Sequence, residues 1–269
     1  MKSVGIGRWC VAVISATWIS PALAAFTDTG QVNPEIQRGD PGIVAWATGA
    51  ASFDRGPKDY QFPEQGDVSF GQPTDMLGSA GTAFSLGDGG WITVTFDAPV
   101  INGPGADLAV FENGFAFGGG IFMELGFVEV SSDGIHFARL PALARKTQAT
   151  PSFGGSNPSD FYNLGGNYAG GTGIDLEDLV TAEDPLVVSG VVDLTAITHV
   201  RIVDVIGDYT GPGRTYDYLS RVVSDPYPTA YASGGMDLTG IAVLHQAVRT
   251  SVAMPSQRTS WGTVKHALR

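Results

Sequence analysis

Apolar and polar positions alternate with a two-residue period in several short stretches, and long tracts without any period lie between them. Residues 91–96 (WITVTF) set apolar side chains against small polar ones, as a half-buried strand does. Residues 107–111 (DLAVF), 123–130 (MELGFVEV), 136–140, 191–194, 199–205 (HVRIVDV) and 236–244 (MDLTGIAVL) repeat the pattern. Turn signals separate them: NGPG at 102–105, a glycine-rich break at 118–120, and SSDG at 131–134. In the last of these, Asp-Gly tolerates the positive φ of a tight hairpin. One short helix fits residues 176–184. Residues 26–90, 141–190 and 207–235 are rich in turn formers and predict loops. No fixed-period repeat runs through the chain. Seven or eight short strands with long Gly/Pro/Tyr-rich loops predict an all-β, antiparallel β-sandwich, with a β-barrel as the alternative. A doubly wound α/β fold would need helices that the pattern lacks.

Composition agrees. The 269 residues include 37 glycines and 16 prolines, while charged residues are only 16%, against about 25% in an ordinary globular protein. Long charged surface helices are therefore scarce. Hydrophobic residues at 43% supply a core and exclude wholesale disorder. The net charge of −12 is unevenly spread: residues 25–248 carry nine basic residues against all 27 acidic ones. A domain so acidic repels phosphate backbones, which excludes nucleic acid as a partner. It suits instead a soluble domain or one that holds hard cations.

Residues 1–24 begin with Lys2 and Arg8, continue through an apolar run at 9–19 and end in Ala22-Leu23-Ala24. That is the form of a secretory signal peptide cut after Ala24. The single cysteine, Cys10, falls inside it, so the exported product has neither disulfides nor thiolate chemistry. No later stretch reaches the roughly 18–20 apolar residues of a membrane helix. The expected organisation is a signal peptide at 1–24, one β-sandwich domain at 25–247, and a basic, unpatterned tail at 248–269. The expected destination is the periplasm, the medium or the cell surface.

Two resemblances follow from particular motifs. The segment VEVSSDGIHFARL at 128–140, followed by HVRIVDV at 199–205, resembles the discoidin-type, galactose-binding-like jelly roll. The motifs VFENGF (110–115), VEVSSDG (128–134), ITHVRIVDV (197–205), DPYPT (225–229) and GGMDL (234–238) resemble a family of exported bacterial cell-surface proteins. The likeness spans about residues 70–245. It implies an exported jelly roll and names no ligand.

Certain side chains stand out against the strand pattern. Glu112 and Asn113 end a strand that buries Leu108 and Val110, and Asp237 interrupts an apolar strand. A buried carboxylate needs a partner. For Asp237 that partner is either a metal ion or an arginine such as Arg201 or Arg221. Asp204 interrupts its strand likewise and suits a structural acid. Calcium takes six to eight oxygens. The candidate ligands for a structural calcium are Asp75, Glu112, Asn113, Asp217, Asp225 and Asp237. The 207–235 loop carries Tyr209, Tyr216, Tyr218, Tyr227 and Tyr231 among its acids. Aromatic faces beside carboxylates are how loops hold a sugar ring and its hydroxyls.

Four scattered histidines and the absence of H-E-x-x-H, G-x-S-x-G or a P-loop lysine leave no recognisable catalytic motif. The expected function is an exported, non-catalytic binder of a glycan or small molecule with a structural calcium. Two alternatives are an accessory capture protein for an outer-membrane receptor that takes up a nutrient such as a corrinoid, and a glycoside-active enzyme.

Overall fold

The computed structural model describes residues 26–79 and 81–248. The expected signal peptide and nearly all of the expected tail lie outside the described residues. Two antiparallel sheets face each other across one core, as an all-β sandwich, and neither closes into a barrel. The first sheet orders its strands Glu35–Ile36, Gly171–Ile174, Leu108–Glu112, Asp237–Val243 and Ala45–Trp46, with Phe84–Ser85 also paired to Asp237–Val243. The second runs Ala138–Arg139, Gly126–Ser131, Ile197–Asp204, Trp91–Val100 and Gly49–Asp54, with Leu164–Gly165 added beside Gly126–Ser131.

The alternation in the sequence explains the layers. Leu108 and Val110 enter the main core with Ile92, Val94, Val128, Val130, Val200 and Ile202. Their neighbours Ala109 and Phe111 fall on the opposite face and pack with Ile36 and Ala242. A bulge between Leu238 and Gly240 keeps Met236 and Leu238 in the inward row with Ile241 and Val243. A separate cluster around Phe127, Phe161 and Leu164 supports the second sheet.

The long alternating strands fall close to where the pattern places them. Residues 191–194 do not: they form bends and a turn, capped where the Asp193 carboxylate accepts the Thr195 N–H at 2.9 Å. Val192 and Leu194 are buried nonetheless, so the apolar signal reported burial rather than a ladder. The expected 136–140 strand shrinks to Ala138–Arg139. The expected helix resolves into two short ones, Glu177–Thr181 and Pro185–Val188, with Asp184 capping the second. The 26–90 and 141–190 tracts are not only loop. They hold Gly49–Asp54 and Gly171–Ile174, whose small residues hide a strand from any apolar count. Among the described residues no helix is long and apolar enough to cross a membrane.

Candidate functional site: an acidic cleft walled by aromatic rings

Glu112 ends its strand in the same phase as Leu108 and Val110, so the inward row closes on a carboxylate. The adjacent strand brings Asp237 to the same sheet end, because Leu238 pairs with Glu112 and Asn113 N–H donates to the Asp237 carbonyl at 3.2 Å. Glu124 comes from the segment entering Gly126–Ser131. Its position is fixed by Asp225, whose carboxylate accepts the Leu125 N–H at 2.5 Å. The three side chains line one cleft of about 220 Å³.

The cleft wall is aromatic. Phe115–Phe117 and Gly120–Phe122 form a two-stranded hairpin outside both sheets. Its loop, Gly118-Gly119, has both φ angles positive, as the tight hairpin turn requires. Phe115 and Phe122 stack with ring centroids 5.2 Å apart. Opposite them Phe153 leans on Tyr231 at 6.1 Å. Reciprocal bonds between Ile121 and Ser156 tie the hairpin to the 150–156 segment. Phe115, Phe153 and Tyr231 are each more than half exposed.

The carboxylates are strained electrostatically. Burial, and then the Asp237 charge, push Glu112 well above the usual carboxylate range, against the opposing backbone N–H groups of Asn113 and Gly114. Glu112 is 6% exposed, and its Oε2 has no hydrogen-bond partner. Burial raises Glu124 as well, followed by the charges of Asp225, Glu112, Asp237 and Asp204. Burial lifts Asp237 to about 6, although the Ser85 hydroxyl donates to it and Asn113 also bonds it.

The structure therefore brings together Glu112, Asn113 and Asp237 of the expected calcium ligands. Asp75 is exposed beside a neighbouring cleft that shares Asn113, and it accepts the Gln72 N–H at 2.7 Å. Asp225 is committed to Leu125. Asp217 accepts the Ala144 N–H at 2.8 Å and Arg221 Nε at 2.7 Å, away from the cleft. Among the described residues, no three His, Cys, Asp or Glu side chains are gathered closely enough to hold a metal ion. Neither arginine suggested for Asp237 reaches it: Arg201 lies over Trp91 and Phe137, and Arg221 pairs with Asp28 and Asp217. Asp204 is the structural acid expected, although its partners are the backbone N–H groups of Met236 and Gly89, at 2.6 and 3.0 Å.

Of the five tyrosines, Tyr231 alone lines this cleft. Tyr227 donates its hydroxyl to Asp59 at 2.9 Å, Tyr218 packs edge-on to Phe26, Tyr216 flanks a bridge to Val222, and Tyr209 is half-buried. Sequence reasoning missed Glu124 and the three phenylalanines. The signal for Glu124 is its place between Met123 and Leu125, both buried. For the rings it is the spacing of phenylalanines about the glycine turn.

Compared with known proteins, the chain matches no family model and shows no significant similarity to any curated protein.

Proposed function

We propose that this chain is an exported, non-catalytic binding protein whose ligand is a saccharide held in the Glu112–Glu124–Asp237 cleft. The observation that carries this reading is the juxtaposition of Phe115, Phe122, Phe153 and Tyr231 with carboxylates at the floor. Rings stack on the apolar face of a sugar, and carboxylates accept its hydroxyls. The volume, about 220 Å³, is below the roughly 300–1,000 Å³ of pockets for drug-sized molecules. It suits one ring or chain end better than a corrinoid.

Binding is favoured over glycoside hydrolysis on electrostatic grounds. A glycosidase keeps one carboxyl protonated and its partner ionised. Here all three cleft carboxyls are shifted upward together, without the opposed pair of shifts that marks an acid and a nucleophile. A calcium ion at Glu112, Asn113 and Asp237 would need further oxygens from ligand or water. The resemblance to exported cell-surface proteins supports the same reading from the sequence side.

The test is a glycan array probed with the residue 25–269 protein and with a Phe153→Ala/Tyr231→Ala variant. Binding that the variant loses is expected. Binding that the variant keeps would move the site elsewhere, and release of reducing sugar from bound glycans would make the protein an enzyme. A melting curve with and without millimolar calcium reports whether a metal contributes.

A further inference from the structure

The aromatic cleft does not end at its own walls. Asn113 lines it together with two further clefts, of about 590 Å³ and 330 Å³, and is exposed at their junction. A second link runs through the backbone. The Ala232 carbonyl accepts the Ser69 and Phe70 N–H groups at 2.9 and 3.0 Å. That sets Phe70, which lines the 590 Å³ cleft, beside the residue that follows Tyr231 of the aromatic cleft. The Phe70 ring is 50% exposed. Its backbone is fixed, because the Arg55 guanidinium donates to the Val68, Phe70 and Gly71 carbonyls and covers the Phe84 ring. A half-open ring on a pinned backbone is a stacking platform that loses little freedom when it is covered.

The lining defines the chemistry. Beyond Phe70 the larger cleft presents the Thr82 and Thr239 side chains, the Asp75 carboxylate, the Asn113 amide and bare backbone at Gly71 and Gly81. A Cβ at Gly81 would collide with the Thr239 carbonyl, so that wall stays backbone. Such groups exchange hydrogen bonds with hydroxyls. Among the described residues, no basic side chain lines this cleft or the aromatic one, so an anionic group would enter without a counter-charge. Arg38, in the 330 Å³ cleft, is committed to the Ser79 carbonyl and Thr239 Oγ1 and lies over Phe111 and Trp46. The larger cleft has more than twice the volume of the aromatic one, about 590 against 220 Å³, so a ligand seated in both extends beyond a single ring.

We infer that the two clefts form one groove for a neutral saccharide chain, with one ring against Phe153 and Tyr231, Asn113 at the crossing, and a further ring on Phe70. This rests on the saccharide-binding reading and specifies its substrate class: a chain of uncharged rings, in place of a monosaccharide or a uronic-acid or sulfated chain. The Asn113 amide bonds Asp237, which orients it. Its remaining hydrogen-bonding capacity is open to the ligand, since the residue is exposed. Once the first ring is seated, the next reaches Phe70 as an intramolecular event, so affinity climbs with chain length until both clefts are filled.

The experiment is calorimetric titration of the residue 25–269 protein with neutral gluco-, manno-, galacto- and xylo-oligosaccharides of one to four rings, and with the galacturonate trimer. In whichever neutral series binds, the trimer is expected to bind about tenfold more tightly than the single ring, and more tightly than the galacturonate trimer. Phe70→Ala should reduce that advantage to about threefold or less with the melting temperature unchanged. Thr82→Val, a change of similar shape at an exposed position, should weaken the trimer about two- to threefold. Equal binding of one and three rings, unaltered in Phe70→Ala and lost in Phe153→Ala/Tyr231→Ala, would overturn the groove and leave the saccharide reading standing. Tighter binding of the galacturonate trimer would overturn the neutral class. Binding that survives Phe153→Ala/Tyr231→Ala, or no binding in any series, would overturn both the groove and the saccharide reading.

Discussion

Asp28 and Glu112 are both carboxylates shielded from water, yet their surroundings drive them in opposite directions. Burial pushes Asp28 up, but hydrogen bonds from Arg221 and Arg145 outweigh it and bring the pKa down to about 2. Arg221 continues to Asp217, whose side chain is fully buried and also holds the N–H groups of Ala144, Leu219 and Arg221. That region is closed: every carboxylate in it has a cation. The cleft region has three acids to the closed region's two, and among the described residues none of the three forms an ion pair with a basic side chain. An acid whose burial is matched locally contributes to the fold. One whose burial is unmatched costs stability.

The largest contrast should come from removing one acid of the closed region. Asp217→Ala strands three backbone N–H groups and leaves Arg221 with a single partner, and should cost about 3–5 kcal/mol in urea unfolding. In the cleft, Gly114→Ala places a methyl 2.8 Å from Glu112 Oε2 and 3.0 Å from the Phe122 carbonyl. The expected cost is about 2 kcal/mol. A variant as stable as the parent protein would show that the Glu112 side chain and the Phe122 carbonyl move aside for the methyl.

The pH dependence separates the two regions without mutation. Asp237 and Asp88 have folded pKa values raised to about 6, against about 3.9 unfolded. Between those values the folded chain holds protons that the unfolded chain has released, so stability falls as pH rises. A loss of about 2 kcal/mol from each of these two acids is expected between pH 4.5 and 7.5, and Asp237→Asn should reduce that slope. Asp28 works the other way: its contribution is present above pH 4 and lost as pH falls toward 2. The smallest effect belongs to Glu112→Gln, which removes an unmatched charge and should leave stability unchanged or raise it by less than about 1 kcal/mol at pH 7.5. A loss of several kcal/mol would place Glu112 among the structural acids.

The long strands were legible because Trp91–Val100 and Ile197–Asp204 carry β-branched and apolar residues in alternation, and burial on one face writes that alternation into the chain. Gly171–Ile174 was not legible. Its glycines are demanded by neighbours, since a Cβ at Gly171 would meet the Phe111 ring at 2.6 Å, and close approach leaves no hydrophobic trace. The candidate site was half legible. Glu112, Asn113 and Asp237 stand out as polar groups at apolar strand positions. Which acids converge depends on loop paths, and neither Asp217's attachment to Arg221 nor Glu124's arrival through Asp225 has a sequence period to reveal it. Four of the five tyrosines were drawn into the expected site by composition alone, while the Tyr227 hydroxyl is taken by Asp59 and the Tyr218 ring by Phe26.

The phenylalanine hairpin bears on time as well as affinity. Outside its own pairing, its backbone joins the 150–156 segment through the reciprocal bonds of Ile121 and Ser156, and it belongs to neither sheet. Local opening of such a unit takes far less free energy than unfolding the sandwich. On the saccharide-binding reading, the fraying of this one small ribbon sets how long a ligand stays, and hydrogen exchange at the Ile121 and Ser156 amides measures how often the ribbon opens.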